Sequence, residues 1–430
     1  MIYRFIRIFM VWTLVLAWVP AFAQDDDVEE MKETSAVNNK NNGDSPEKAY
    51  PQIVLMMKVM ELLHERYVDQ DKATYEKLIN GALKGMLYEL DPYCSYESPE
   101  SARELQNRTD GRFAGIGVVI LKEKRAIKIV GVVKNSPAEK AGLHPGDLII
   151  GVDGKSIEHF SLQQSVKLIK GRPGTYVTLK LRRYLNGKTE EVKVKRTMIL
   201  RDPITRVKII DGNIGYIRLE TFSKPAIKAM DRALAELKQK KVKGLIIDLR
   251  GNPGGLLKVA CSLVSRFIPE GELIVSTNGR IKEINNEMKA VSCPKTLDLP
   301  VVILVNKFSA SASEIFSGCL KDHRRGVLVG AKTYGKGSIQ RVMKLPNRGA
   351  LKFTVGKYFT PSKRQINEVG IEPDIKVEFP PEKLMLFMRQ LMRHPGEVHP
   401  QVRGAITDIQ LQRAIDILKG VILVNEARND

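Results

Sequence analysis

The spacing of apolar positions changes repeatedly along this chain, and each change marks a different kind of structure. Between residues 53 and 90, Val54, Met57, Met60, Leu62 and Leu63, then Leu78, Ala82, Leu83, Met86 and Leu87, recur at the three- and four-residue spacing of one helix face. Two amphipathic helices are predicted, joined around Asp69-Gln70-Asp71 and stopped by Asp91-Pro92, with their Met-rich stripe assigned to the core. From about Ser98 to Arg183 the runs shorten. Segments 117–121, 127–133 and 176–181 read as strands between Gly and Pro turns, and 162–170 reads as a helix. Beyond a strand-rich connector, strands at 214–219, 244–249 and 301–305 alternate with helices at 225–239, 256–267 and 311–321, the pattern of an α/β layer whose strand ends deliver chemistry. A hairpin over 339–345 and 351–355, turning at Asn347-Arg348-Gly349, and a last helix at 410–418 complete the pattern.

Length and composition fit that division. The 430 residues, 43% hydrophobic and 27% charged, suit two or three globular domains and exclude a wholly disordered or collagen-like chain. At the start, Arg4 and Arg7 precede an apolar run, and Ala21-Phe22-Ala23 places small residues at the cleavage-determining positions. Residues 1–23 therefore read as a secretory signal peptide, and the expected location is the periplasm or another exported compartment rather than a membrane anchor. Residues 24–50, with Asp25-Asp26-Asp27, Glu29-Glu30 and an Asn-rich stretch, read as a flexible acidic linker. Cys94, Cys261, Cys293 and Cys319 are too scattered for a disulfide scaffold or a metal knuckle, and buried free thiols are the preferred reading. No cofactor or metal is expected.

Charge adds a further constraint. Lys and Arg exceed Asp and Glu by 69 to 49, a net +20. Such a field attracts anions, nucleic acid included, but export argues against a nucleic-acid partner. Residues 170–208 carry +9 and residues 321–364 carry +11. Their placement fits either a solvated face or a basic environment that draws in carboxylates.

The densest chemical signal is Ser309-Ala310-Ser311-Ala312-Ser313-Glu314, after an apolar strand and opening a helix. Ser311 and Glu314 fit a capping box. The N–H groups around Ser311 could serve an oxyanion as well as a cap. Downstream, Lys336 lies between Gly335 and Gly337, where small neighbours permit close backbone approach. A buried, neutral lysine can replace histidine as the base for a serine nucleophile. Gln340 shares the parity of Lys336 on an extended strand, so its amide oxygen could orient the amine. The stretch Gly330 to Lys336 also fits G-x-x-x-x-G-K, but Gly337 stands where a phosphate loop needs Ser or Thr, and the residues after it read as strand.

These paired blocks, with Tyr334-Gly335-Lys336-Gly337-Ser338-Ile339-Gln340 in the second, resemble the signature of the carboxy-terminal processing (tail-specific) proteases. Leu78 to Tyr96 and Gly370-Ile371-Glu372-Pro373-Asp374 are similar to further family segments, so the resemblance spans most of residues 51–375. It implies Ser311 as nucleophile, Lys336 as base and Gln340 as its orienting partner. Asp248 to Gly255 resembles the family's glycine-rich loop, which makes the Gly255 and Ala312 N–H groups the implied oxyanion hole. Two departures stand out: Tyr93-Cys94 replaces a common His-Ser, and the tail after Pro380 lies largely outside the matched core; Asp322, where some relatives use an acid, is read as structural.

Phe113 to Val118 resembles the carboxylate-binding loop of PDZ domains, and Ser136-Pro137-Ala138 with Ala141 to Asp147 matches the bacterial PDZ core. N–H groups of Gly115, Ile116 and Gly117 could cradle a terminal carboxylate while a peptide adds as a strand beside Val118. Walls from Ile116, Val118, Leu162, Val166 and Leu168 would favour an apolar last residue.

The expected architecture is an α+β and α/β multidomain protein: helical segment 51–97, inserted PDZ domain 98–183, protease core 184–380 with crotonase-like or ClpP-like layers by resemblance, and helical extension 381–430. The expected function is an exported serine endopeptidase that takes proteins or peptides by exposed, apolar C-termini. The alternative is a non-catalytic PDZ scaffold on a protease fold. Family analogy also admits a homodimer through the N-terminal helices, and an adaptor or envelope association.

Overall fold

The computed structural model describes residues 29–30, 46–293, 298–391 and 406–429. The signal-peptide segment 1–23 and most of the acidic linker lie outside the described residues. Among the described residues no helix is long and apolar enough to cross a membrane.

The core is a six-stranded sheet. Ile204–Ile210 runs antiparallel to Ile214–Leu219, and Gly244–Asp248, Val301–Val305, Val327–Gly330 and Ile375–Lys376 then join in parallel. Its central strands are apolar on both faces, as a sheet covered on both sides requires. Ile217, Leu245, Ile247, Ile303 and Val305 face helices Ala226–Gln239, Leu257–Val264 and Ala312–Asp322. Their neighbours Tyr216, Ile246, Val302 and Leu304 face the opposite way, onto Ala414, Ile415, Leu418 and Ile422 of helix Ile409–Asn429. The C-terminal helix thus packs on the other face of the sheet, over its central strands, and it is longer than the 410–418 predicted.

A second, antiparallel sheet takes the strands in the order Ser338–Lys344, Ala350–Phe359, Leu273–Gly279 and Asn286–Lys289. The N-terminal segment joins it, because Ser95–Glu97 pairs with Ala350–Phe359. The predicted 347–349 turn closes the hairpin, with Leu345 N–H donating to the Gly349 carbonyl at 2.9 Å.

The inserted domain is a six-stranded antiparallel sheet from Val118–Glu123 to Thr189–Lys195, with the short strand Lys155–Ser156 paired to Leu148–Val152, and it is closed by helix Leu162–Ile169. Strands Leu148–Val152 and Thr189–Lys195 were not separately predicted, and the sheet runs past Arg183 to Lys195. Arg112–Gly115, entering the insertion, pairs antiparallel with Thr197–Leu200, leaving it. This ribbon is a stem that brings both ends of the insertion together.

The Met-rich stripe departs from expectation. In helix Tyr75–Tyr88, Leu83 and Leu87 pack with Cys94, Tyr96 and Phe353, so that part is core. In helix Pro46–Arg66, however, Ile53, Val54, Met56, Met57, Leu62 and Leu63 are exposed. Periodicity shows that a helix has an apolar face but not whether the same chain covers it. All four cysteines are free thiols, Cys94 and Cys319 buried and Cys261 and Cys293 half-buried.

Candidate active site

Strand Val301–Val305 ends in a tight loop that delivers Ser311 to the start of helix Ala312–Asp322. Ser311 has φ 56° and ψ −117°, a conformation an L-residue adopts at a cost of about 1–3 kcal/mol and holds only under constraint. The constraints are visible. Ser309 Oγ donates to the Leu249 carbonyl at 2.8 Å and accepts from Asn306 N–H at 3.0 Å, while Ser313 Oγ donates to the Asn252 carbonyl at 2.9 Å. Ala310 N–H reaches that same carbonyl at 3.1 Å. The flanking serines are therefore structural, and Ser311 is the residue of the block placed in a strained turn.

Glu314 completes the arrangement and does more than the capping box implied. Its Oε2 accepts the Ser311 N–H at 2.8 Å and the Lys336 N–H at 2.9 Å. Its Oε1 accepts from Thr333 Oγ1 at 2.6 Å and from Gly335 N–H at 2.7 Å. One fully buried carboxylate thus ties the main chain of Ser311 to that of Lys336. Burial pushes its pKa up, against these hydrogen bonds, which favour the charged form.

Lys336 sits in a turn, ahead of strand Ser338–Lys344. Gly335 has φ 90°, and a Cβ on Gly337 would stand 2.8 Å from the Asn367 Cα, so both flanking glycines are required by geometry. The Lys336 side chain is buried, with Nζ 4.7 Å from the centre of the Tyr93 ring. Burial lowers its pKa to about 7, helped by the positive charge of Lys352 and opposed by Asp91 and Glu314. Lys352 is itself buried, and its pKa is lowered mainly by that burial.

Gln340 Nε2 donates to Ser338 Oγ at 2.8 Å and to Thr354 Oγ1 at 3.0 Å, and its buried Oε1 has no hydrogen-bond partner among the described residues. Gln340 and Lys336 do not share the expected strand parity, because Lys336 precedes the strand and the register shifts between Ile339 and Gln340. What aligns Gln340 is its own strand and Thr354 across the hairpin.

The glycine-rich turn lies against the start of the serine helix. A Cβ at Gly254 would meet Ser311 Cβ at 2.8 Å and Ala312 N at 2.9 Å, and one at Gly255 would meet the Phe222 carbonyl oxygen at 2.5 Å. The Asn252 side chain fixes the turn, accepting from Gly254 N–H through Oδ1 at 2.8 Å and donating to the Leu219 carbonyl at 2.9 Å, while its carbonyl, bonded by Ala310 N–H and Ser313 Oγ, joins the turn to the helix start. Behind the turn, fully buried Arg250 bonds Asp248 at 2.7 and 2.9 Å and Asp408 at 2.7 and 2.8 Å, clamping the segment before the C-terminal helix to the site. Asp322 accepts from Ser362 N–H at 2.9 Å and pairs with Arg364, which fits its structural reading.

In the inserted domain, Gly117 has φ 89°, and a Cβ there would meet Ser136 and Ile199. Gly115, Ile116 and Gly117 are buried and Val118 half-buried. Val118–Glu123 pairs on one side with Ala126–Val132 and stands at the edge of its sheet.

A serine in a strained turn and a buried lysine, tied through Glu314, thus lie beside the glycine turn in a chain whose family match is that of a serine-type peptidase. Residues 213–377 match peptidase family S41, residues 128–183 match a PDZ domain, and residues 14–101 match the N-terminal domain of the activating protease CtpB. The chain is 36% identical over 413 residues to a carboxy-terminal-processing protease of Bartonella bacilliformis, covering 91% of this chain and 92% of the relative. It is also 36% identical to the carboxy-terminal processing protease CtpA of Bacillus subtilis, covering 72% of this chain and 66% of the relative. A Bacteroides fragilis crystal structure assigned to the S41 proteases shares the fold, with a TM-score of 0.55 at 19% identity over 85% of this chain and 97% of that one. The chain belongs to peptidase family S41, with a PDZ domain inserted ahead of its protease core.

Glu314 did not stand out in the sequence beyond its cap, nor did Thr354, Lys352 and Asp408. The acidic residue three places after Ser311 was the available signal for the first. The others act across long stretches of chain and leave no local pattern.

Proposed function

We propose that this protein is an exported serine endopeptidase that captures protein C-termini on its PDZ domain and cleaves the chain upstream through an acyl-enzyme. The observation that carries this reading is the single Glu314 oxygen shared by the Ser311 and Lys336 main chains, which fixes nucleophile and base relative to each other.

The neutral Lys336 amine takes the Ser311 Oγ proton as Oγ bonds to the scissile carbonyl carbon. The Gly255 and Ala312 N–H groups receive the oxyanion, an assignment favoured by the close packing of the glycine turn on the helix start. The Lys336 ammonium then protonates the departing amine. Water, deprotonated by the same amine, releases the acyl group. Gln340 Oε1, without a hydrogen-bond partner among the described residues, is an acceptor suited to an N–H of Lys336. At the PDZ domain, N–H groups of the Gly115 to Gly117 loop take the terminal carboxylate, and the free edge beside Val118 takes the peptide. The apolar face of helix Pro46–Arg66 suits a homodimer contact.

The test compares unstructured peptides with free and amidated C-termini. Wild type is expected to prefer the free, apolar end, Lys336→Ala to lose at least roughly 100- to 10,000-fold in kcat, and Ser311→Ala on the order of a million-fold. Retained turnover by both variants would overturn the mechanism, and indifference to amidation would overturn C-terminal capture.

A further inference from the structure

The turn Asp91 to Cys94, from the N-terminal segment, reaches into the site. Asp91 Oδ1 accepts the N–H groups of Tyr93 at 2.7 Å and Cys94 at 2.9 Å, which fixes the turn. Strand Ser95–Glu97 then pairs with the strand that carries Lys352 and Thr354. The Tyr93 ring lies with its centre 4.7 Å from Lys336 Nζ, inside the roughly 6 Å reach of a cation–π contact. Tyr334, two residues before Lys336, donates its N–H to the Ser309 carbonyl at 3.0 Å, which ties the lysine turn to the serine block. Tyr93 is thus held by the Asp-Pro turn with its ring against the lysine turn.

We propose that the aromatic face of Tyr93 is a positioning element for the reaction, holding the Lys336 side chain in place and stabilising the ammonium that forms when Nζ takes the Ser311 proton. This rests on the reading of Lys336 as base. In that step the Oγ–H bond breaks, an Nζ–H bond forms, and the electron pair left on Oγ makes the bond to the carbonyl carbon.

The chemistry explains why a ring suits the place. The amine must be neutral at rest and cationic a moment later. A carboxylate in contact would stabilise the second state and also hold the lysine protonated beforehand. A ring face carries no net charge, attracts the cation more weakly, and excludes water. The other groups around Nζ are already divided: Lys352, on the hairpin strand, favours the amine, whereas Asp91 on the turn and Glu314 on the serine helix favour the ammonium. Cys94 and Tyr334 complete the titratable groups near this turn.

Substitutions at 93 separate ring face, hydroxyl and cover. Tyr93→Phe keeps the face, and kcat is expected within about twofold of wild type with the acid limb of the kcat/KM–pH profile in place. Tyr93→Leu keeps an apolar cover without the face. It is expected to lose about tenfold in kcat with little change in KM, and its acid limb should move to lower pH because the ammonium has lost a partner. Pentafluorophenylalanine at 93 keeps the ring's outline and reverses the face, so it decides the matter even where Tyr93→Leu folds poorly, and it should be at least as impaired as the leucine variant. Wild-type kcat with an unmoved limb in both face-lacking variants overturns the proposal. So does a limb that moves to higher pH, which would make the ring a water shield only, or a phenylalanine variant as impaired as leucine. Full activity of Lys336→Ala would overturn the base reading itself, whereas an inactive Lys336→Ala beside unaffected face-lacking variants would overturn the Tyr93 inference alone.

Discussion

A buried lysine with a lowered pKa is costly to the fold that holds it. The unfolded chain keeps the Lys336 proton up to pH 10.5, while in the folded protein burial and Lys352 bring the value to about 7. Between those limits the unfolded state binds more protons, so this residue's contribution to stability rises with pH across that window and is least favourable below it. Each tenfold change in proton affinity is about 1.4 kcal/mol, so the penalty at neutral pH amounts to a few kcal/mol. Lys336→Met, which keeps the volume and drops the charge, should therefore raise the urea midpoint of the protease core at pH 7 while abolishing cleavage, and the gain should shrink toward pH 10. A midpoint lowered by the substitution would show that Lys336 is held as a satisfied ammonium instead. Ser311 and Lys336 stood out in the sequence because unusual residues cluster around them. Tyr93 was visible only as a departure from family habit. That its ring meets a lysine 243 positions later is decided by the strand pairing of Ser95–Glu97, which no local spacing reports.

Elements obey the same logic. The central strands were legible because burial on both faces leaves near-continuous apolar runs such as Val301–Val305. Helix Pro46–Arg66 was legible as a helix, but its environment was not, since the sequence cannot say which surface covers an apolar stripe. The Arg250–Asp408 clamp joins residues 158 positions apart and gives the C-terminal segment a structural hold on the glycine turn. The stem ribbon permits a clean experiment on the insertion. Gly115 and Thr197 are direct partners across it, so an Asn-Gly turn can link them and replace residues 116–196. The shortened protein is expected to fold and to cleave short peptides, with the preference for a free C-terminus lost. A preference that survives excision would place C-terminal recognition in the protease core.

At the scale of the whole molecule, the site is assembled from a turn before the insertion and from a glycine loop, a serine helix and a hairpin after it. The charge that made nucleic acid a candidate divides between exposed residues of the inserted domain, such as Lys180, Arg182, Lys193 and Lys195, and a hairpin region in which Lys336 and Lys352 alone are buried as a lysine pair. That pair is where the basic composition meets the site, because burial, with the Lys352 charge beside it, lowers the Lys336 pKa to about 7. The most direct measurement is the pH dependence of kcat/KM for wild type beside Lys352→Met. With Lys336 as base, activity should rise with pH through an acid limb near pH 7, and removing the Lys352 charge should move that limb upward. A wild-type limb in the range of an ordinary carboxylate, or one that stays in place when Lys352 is removed, would contradict a mechanism that runs on a buried, neutral Lys336.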